Sequence, residues 1–122
     1  MDLKIIDGEF SVCKVKDASQ IYYDDDFVFV DAKDGELSVI CRTRFLPPDC
    51  SEYENGYQGL QVKGKTDAFL LGCIAGIVKV FKERDIRVFV VAADTAKYIF
   101  VEKQHFPKMI EGLKAAGYPA VE

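Results

Sequence analysis

The sequence predicts an α+β protein built as two half-size modules in tandem, residues 1–56 and 57–122, each an antiparallel sheet carrying helices on one face. Three observations carry this expectation. Strand-like runs pair around tight turns, one long apolar run has helical spacing, and two stretches resemble each other at a fixed offset. Residues 57–122 read strand-helix-strand-strand-helix with a last strand near Tyr118 to Val121, which is the ferredoxin-like βαββαβ order.

Taken in order, Leu3 to Ile6 and Phe10 to Val15 read as a hairpin around Asp7-Gly8, the second run alternating Phe10, Val12 and Lys14 with Ser11, Cys13 and Val15. Asp17 to Tyr22 reads as a single helical turn, and Asp24, Asp25 and Asp26 behind it as a solvated loop. Phe27 to Ala32 and Glu36 to Arg42 form a second hairpin, closed by Asp34-Gly35, a dipeptide that tolerates positive φ. Phe45 to Gly56 contains Pro47, Pro48, Asn55 and Gly56 and reads as an irregular linker between the halves.

Tyr57 to Lys63 is then a strand, and Asp67 to Arg84 a helix with Thr66 or Asp67 as its N-cap. Leu70, Ile74, Ile77, Val78 and Phe81 make one apolar stripe on that helix, and Phe69, Cys73 and Val80 make a second. With no polar face in its first turns, the helix is expected to be covered on both sides, by a sheet and by another helix or subunit. Ile86 to Ala92 and Lys97 to Glu102 pair around an Asp94-Thr95 turn. Gln104 to Ala116 is an amphipathic helix carrying Phe106, Met109, Ile110 and Leu113, with Gly117 placed to end it. The internal likeness sets Phe27-Val28-Phe29-Val30 through Phe45-Leu46-Pro47 against Arg87-Val88-Phe89-Val90 through His105-Phe106-Pro107, and Asp94 stands 60 residues after Asp34.

Composition narrows the functional classes. With 16 basic against 20 acidic side chains and no Lys/Arg run longer than two, nothing in the chain favours a phosphate backbone, so no nucleic-acid partner is expected. The longest uncharged apolar stretch, Ala68 to Val78, is well short of the ~20 residues that span a bilayer, so no membrane association is expected either. Met1-Asp2-Leu3-Lys4 leads straight into a strand-like run with no leader pattern, which makes a cytoplasmic location the default. Cys13, Cys41, Cys50 and Cys73 never approach CxxC spacing and His105 is the lone histidine, so neither a metal nor a cofactor is expected. Cys13, Cys41 and Cys73 lie in apolar runs and read as small core residues, while Cys50 reads as exposed.

Gly59-Leu60-Gln61-Val62-Lys63-Gly64-Lys65-Thr66 fits the phosphate-loop expression letter for letter, but Leu60 and Val62 alternate with Gln61 and Lys63. A strand occupies the place where a phosphate loop must be irregular. Gly64 to Asp67, between a strand and a helix N-terminus, offers free N–H groups and a positive dipole end to a carboxylate or other anion, or is simply a capped turn. Gly72 and Gly76 form a small-residue face that allows close helix packing. The acidic run Asp24 to Asp26 reads as solvated, and His105 has no Ser, Cys or carboxylate partner in its sequence context; no catalytic constellation is present, and the chain is expected not to be an enzyme.

The stretches Gly64-Lys65-Thr66-Asp67-Ala68-Phe69-Leu70-Leu71-Gly72-Cys73-Ile74-Ala75-Gly76-Ile77, Val80 to Ile86, Tyr98-Ile99-Phe100-Val101 and Leu113-Lys114-Ala115-Ala116-Gly117-Tyr118 resemble the ACT domain of small bacterial tandem-ACT proteins. These are similar to the ACT modules of CASTOR-type arginine sensors, and Glu36-Leu37-Ser38-Val39-Ile40-Cys41 looks like the N-terminal module of that family. The resemblance implies two ACT-type modules with small ligands such as amino acids held at their interface, and dimerisation. Of the family's strand-to-helix loop, roughly Gly-Pro-Leu-Asp-Phe-Ser-Leu-Thr-Gly, the residues Gly64, Asp67, Leu70 and Gly72 match, while Lys65 replaces Pro and Ala68 replaces Phe. Of a second motif, roughly Ser-Thr-x-x-Thr-Asp-Tyr, only Tyr98 matches. Lys97 stands where relatives carry an Asp, and Ala92, Ala93 and Ala96 replace hydroxyls, a change that turns the preference from arginine-like toward anionic or apolar ligands.

The expected function is a non-catalytic regulatory protein that binds an amino acid or small organic acid. Its ligand-binding positions are Gly64, Lys65, Thr66, Asp67 and Ala68, faced by Ala92, Ala93, Asp94 and Thr95, with Gly72 and Gly76 at a homodimer interface. The alternative is a structural or interaction module that dimerises after its ligand site has decayed.

Overall fold

The computed structural model describes residues 2–64, 68–93 and 95–121. Its six strands are β1 (Asp2–Val15), β2 (Phe29–Lys33), β3 (Glu36–Arg42), β4 (Glu52–Lys63), β5 (Val88–Ala92) and β6 (Ala96–Glu102), hydrogen-bonded in the order β2-β3-β1-β4-β6-β5. The two α-helices are α1 (Ala68–Glu83) and α2 (Phe106–Ala115), and single 3₁₀ turns occupy Ala18–Gln20 and Thr43–Phe45. Among the described residues no helix is long and apolar enough to cross a membrane.

This overturns the expectation of two tandem ferredoxin-like, ACT-type modules. One six-stranded sheet order runs through the chain, and both α-helices belong to the same part of it. The chain forms two compact units, Gly8–Tyr57 and the combination of Met1–Asp7 with Gln58–Glu122. In the Gly8–Tyr57 unit the connections hold only three-residue helical turns, too short to cover a sheet face as an α-helix does. The division at 56/57 expected from sequence thus becomes one in which the first seven residues join the second half.

The expected hairpin at Asp7-Gly8 is also corrected: β1 runs unbroken through it, with Gly8 at φ +99°. The same dipeptide chemistry does make a turn at Asp34-Gly35, where φ is +52° and +79° and β2 pairs antiparallel with β3, Lys33 opposite Glu36. The difference is tertiary. Phe10 to Val15 pair with Arg42 to Leu37 of β3, and Lys4 bridges Val121 in parallel, with the Ile5 N–H donating to the Val121 carbonyl at 2.7 Å. Both halves of β1 are held extended by partners that a local sequence window does not contain. The linker expected to end at Gly56 likewise shrinks, because β4 begins at Glu52 and passes through Asn55 and Gly56.

In the unit formed by Met1–Asp7 and Gln58–Glu122, the core is Leu3, Leu60, Val62, Leu70, Ile74, Phe81, Ile86, Ile99, Val101, Phe106, Met109 and Leu113. The helix positions in this set follow the three-and-four spacing that places one face of each helix inward. On the outer face of α1, Phe69 is 70% exposed with its ring centre 6.4 Å from that of Tyr118, and Val80 is 43% exposed. The core of the Gly8–Tyr57 unit is smaller, with Cys13, Val15, Ile21, Val39 and Cys41 buried together. Asp17 caps its first helical turn, accepting from the Ser19 N–H, while the Gln20 side chain accepts from the Asp17 N–H in a reciprocal capping box.

Candidate functional site

The end of β4 and the start of α1 bring one candidate segment to the surface of the helical unit. Gly64 follows the strand at φ +94°, a conformation that a residue without Cβ adopts freely, and α1 opens at Ala68. The turn between β5 and β6 brings the other: the Ala93 N–H donates to the Ala96 carbonyl at 2.9 Å, and Ala92 lies opposite Lys97 in the antiparallel ladder. The two segments meet where the Gly64 N–H donates to the Thr95 carbonyl at 3.5 Å. Gly64, Ala68, Ala92, Ala93 and Thr95 are therefore surface residues of one unit, with Gly64 and Thr95 in direct contact. Lys65, Thr66, Asp67 and Asp94 lie outside the described residues.

What the described part of this surface offers chemically is narrow. Ala68, Ala92 and Ala93 contribute methyl groups and Thr95 one hydroxyl, while the first turn of α1 carries no acidic side chain. The leading N–H groups of any α-helix have no carbonyl four residues back to accept them, so they and the dipole favour a carboxylate. Gly72 and Gly76, on the exposed face of α1, would meet no atom within 4 Å if they carried a Cβ. They are therefore not packed against the sheet.

The phosphate-loop pattern is resolved by geometry. Gly59 to Lys63 are the last five residues of β4, and Gly59 is buried against Phe100. A Cβ at Gly59 would lie 2.6 Å from Phe100 Cε1, so the glycine serves ring packing in the sheet.

Other polar residues gain partners that the sequence did not reveal. Asp25, read as solvated, has a side chain only 8% exposed and pairs through Oδ1 with Arg42 Nη1 at 3.4 Å. The Arg42 guanidinium lies 5.2 Å from the centre of the Phe27 ring. Among the described residues Asp25 Oδ2 and Arg42 Nε have no hydrogen-bond partner. The hydroxyl of Ser11, fully buried, donates to Asn55 Oδ1 at 2.6 Å, which leaves Thr43 Oγ1 to donate to Ser11 at 2.8 Å. His105 has a carboxylate after all, with Nε2 3.9 Å from Glu102 Oε2. Three of these pairs carried no local signal, because the partners stand 17, 32 and 44 residues away for Asp25–Arg42, Ser11–Thr43 and Ser11–Asn55, whereas Glu102 stands only three residues before His105.

Two cysteines, Cys50 and Cys73, differ from expectation, and two do not. Cys13 and Cys41 are buried, while Cys50 and Cys73 are both intermediate, so Cys50 is half-covered. Burial pushes the Cys13 thiol up to about 11 and the Cys41 thiol up to about 12; Cys50 adds to the Cys13 shift while Cys41 opposes it, and Cys13 and Cys50 both add to the Cys41 shift. Among the described residues no group of three or more His, Cys, Asp or Glu has an arrangement that holds a metal ion.

No protein-family model matches the chain, and no curated protein does. Solved structures do. A crystal structure of an Agrobacterium tumefaciens protein superimposes with a TM-score of 0.80 at 21% identity, covering 99% of this chain and 92% of that one. A Vibrio cholerae protein of unknown function gives 0.63 at 16% identity over 93% of this chain and 88% of its own. Aspartate kinase of Clostridium acetobutylicum, described as an allosteric enzyme, gives 0.61 at 12% identity, covering 93% of this chain but 33% of the kinase. These likenesses are of fold alone. None of the three points specifically to CASTOR-type sensors.

Proposed function

We propose that this chain is a cytoplasmic, non-catalytic regulatory protein that binds a small amino-acid-like ligand beside the N-terminus of α1. The observation that carries the reading is the Gly64–Thr95 hydrogen bond, which sets the residue after β4 beside the residue before β6, in a fold that superimposes on part of an allosteric aspartate kinase. In this reading backbone N–H groups and the helix dipole hold the ligand carboxylate, Ala68, Ala92 and Ala93 touch its apolar part, and Lys65, Thr66, Asp67 and Asp94 complete the site. Occupancy then shifts the population of functional states by its differential affinity for them.

The test is thermal unfolding against a panel of amino acids, small organic acids, and nucleotides with magnesium. A ligand at ~100 times its Kd adds ~2.7 kcal/mol to the folded state. A rise in Tm with one class of amino or organic acid, weakened about tenfold in affinity by Ala93→Glu, supports the reading, since an added carboxylate opposes an anionic ligand. No rise with any of them refutes it, and a rise with nucleotide alone restores the phosphate loop.

A second reading, homodimerisation of an interaction module, is favoured by the outer face of α1, where Phe69 is 70% exposed beside Gly72 and Gly76. Sedimentation of the wild type and of Phe69→Glu separates the two: a dimer converted to monomer by the added charge, without any ligand effect, selects this reading.

A further inference from the structure

Three cysteines distant in sequence converge in the small core of the Gly8–Tyr57 unit. Cys13 of β1 lies opposite Val39, and Cys41 of β3 lies opposite Ser11, so the two thiols occupy diagonal positions on one face of the antiparallel pair. Cys50 joins them from the segment before β4. The Ser51 N–H donates to the Lys14 carbonyl at 3.0 Å, and the Ser51 hydroxyl donates to the same oxygen at 3.3 Å, which ties the segment carrying Cys50 to the end of β1 that carries Cys13. Cys13 and Cys41 are buried in one apolar cluster with Val15, Ile21 and Val39, and Cys50 packs against that cluster while keeping part of its surface in solvent.

We propose that Cys50 and Cys13 form a peroxide-responsive thiol pair, Cys50 meeting the oxidant and Cys13 closing an intramolecular disulfide. The roles follow from position. Cys50 alone of the three reaches solvent, so it is the sulfur a hydroperoxide meets. Cys50 packs against the cluster that buries Cys13, and Ser51, the residue after it, is bonded to Lys14, the residue after Cys13. A diagonal cross-strand pair such as Cys13 and Cys41 stands farther apart than a disulfide allows without backbone movement.

The chemistry balances with one hydroperoxide as oxidant. The Cys50 sulfur attacks the peroxide oxygen, an S–O bond forms as the O–O bond breaks, and the leaving alkoxide or hydroxide takes the thiol proton to depart as alcohol or water. The Cys13 sulfur then attacks Cys50, an S–S bond forms as the S–O bond breaks, and the departing hydroxide leaves as water with the Cys13 proton. Two thiols are oxidised by two electrons and the peroxide is reduced by two.

The experiment exposes the full chain to hydrogen peroxide, traps remaining thiols with an alkylating agent in denaturant, and maps peptides by mass spectrometry. The expected result is a monomer that has lost two of its four alkylatable thiols, weighs about 2 Da less before alkylation, and yields a Cys13–Cys50 cross-linked peptide. Cys50→Ser, at a half-exposed position, abolishes the cross-link, while Cys41→Ser and Cys73→Ser leave it in place. Four alkylatable thiols after treatment, a cross-link joining any other pair, or a disulfide between two chains overturns the proposal. Should Cys13→Ser fail to fold, the Cys50→Ser and wild-type maps still decide it.

Discussion

Gly59→Ala tests the packing that separates this chain from a nucleotide-binding protein. Gly59 is buried in β4, and an added Cβ would lie 2.6 Å from Phe100 Cε1, 3.0 Å from Phe100 Cδ1 and 3.3 Å from Ile6 Cδ1. Phe100 is fully buried, so its ring has no solvent to move into. Overpacking a close-packed interior costs roughly 1–3 kcal/mol. Against this, alanine in a strand interior recovers roughly 0.5–1 kcal/mol of the backbone entropy that glycine loses. The net expectation is a loss of about 1–2 kcal/mol, and for a chain of this length Tm then falls by about 4–8 °C. Thermal and urea unfolding followed by circular dichroism measure it. The pair Gly59→Ala/Phe100→Leu gives the decisive comparison: leucine withdraws the ring edge, so the double variant is expected to cost about 1 kcal/mol less than the two single losses added. A Gly59→Ala protein as stable as the wild type, or a double variant with strictly additive losses, refutes the packing argument and leaves the glycine to some other role.

Three further expectations rest on separate contacts. Ser11→Ala strands the Thr43 hydroxyl and Asn55 Oδ1 and is expected to cost about 1–2 kcal/mol in urea unfolding, with Ser11→Thr no substitute because the site is fully enclosed. Asp25→Ala leaves the Arg42 guanidinium beside the Phe27 ring without its ion-pair partner and is expected to cost about 2–4 kcal/mol, somewhat under the roughly 3–5 kcal/mol of a wholly buried pair because the Arg42 side chain is 20% exposed. Stability is expected to fall at alkaline pH: the folded chain holds the Cys13 and Cys41 protons up to about 11 and about 12, while the unfolded chain releases them near 9.0, so their contribution is complete below about pH 9 and is lost as pH rises through the folded values. Urea midpoints between pH 7 and 10.5 check this, with a slope of up to about 1.4 kcal/mol per pH unit for each thiol, and Cys41→Ala should flatten it.

The elements set by local chemistry were legible. Asp34-Gly35 turns as its backbone freedom allows, α1 and α2 present Leu70, Ile74, Phe81 and Phe106, Met109, Leu113 inward at helical spacing, and Gly117 ends the last helix region at φ +95°. The alternation of Leu60 and Val62 with Gln61 and Lys63 correctly placed a strand where a motif demanded a loop. The elements set by distant partners were not legible. Asp7-Gly8 carries the same signal as Asp34-Gly35, yet β3 and Val121 hold β1 extended on either side of it. Asp25 resembles Asp24 and Asp26 in sequence, and only Arg42, 17 residues on, distinguishes it. Cys13, Cys41 and Cys50 have no spacing that marks them as members of one cluster; strand register and shared burial make them so. For the candidate ligand site, the contact of Gly64 with Thr95 joins two segments that sequence singled out separately.

The offset likeness within the chain explains why fold class was misjudged even though most elements were not. Phe29–Lys33 and Val88–Ala92 each begin a hairpin, and Glu36–Arg42 and Ala96–Glu102 each complete one. The segments leaving the two hairpins differ in apolar period. After Phe106-Pro107 come Met109, Ile110 and Leu113, which supply one helical face, and a proline in the first turn of a helix costs no hydrogen bond. After Leu46-Pro47 come Pro48, Asp49, Cys50 and Ser51, which supply none, and the chain enters β4 instead. The connection before each hairpin differs in the same way: sixteen residues of mostly apolar sequence make α1, whereas Asp17 to Asp26 make a capped turn and an acidic loop. A repeated hairpin is therefore not evidence of a repeated module, because the helices that complete a module are encoded between the repeats. The free N–H groups and dipole invoked for carboxylate binding need a helix of several turns, and α1, unlike the single turns of the Gly8–Tyr57 unit, has that length. Amino-acid recognition of the proposed kind thus belongs to the helical unit, and the thiol pair to the other.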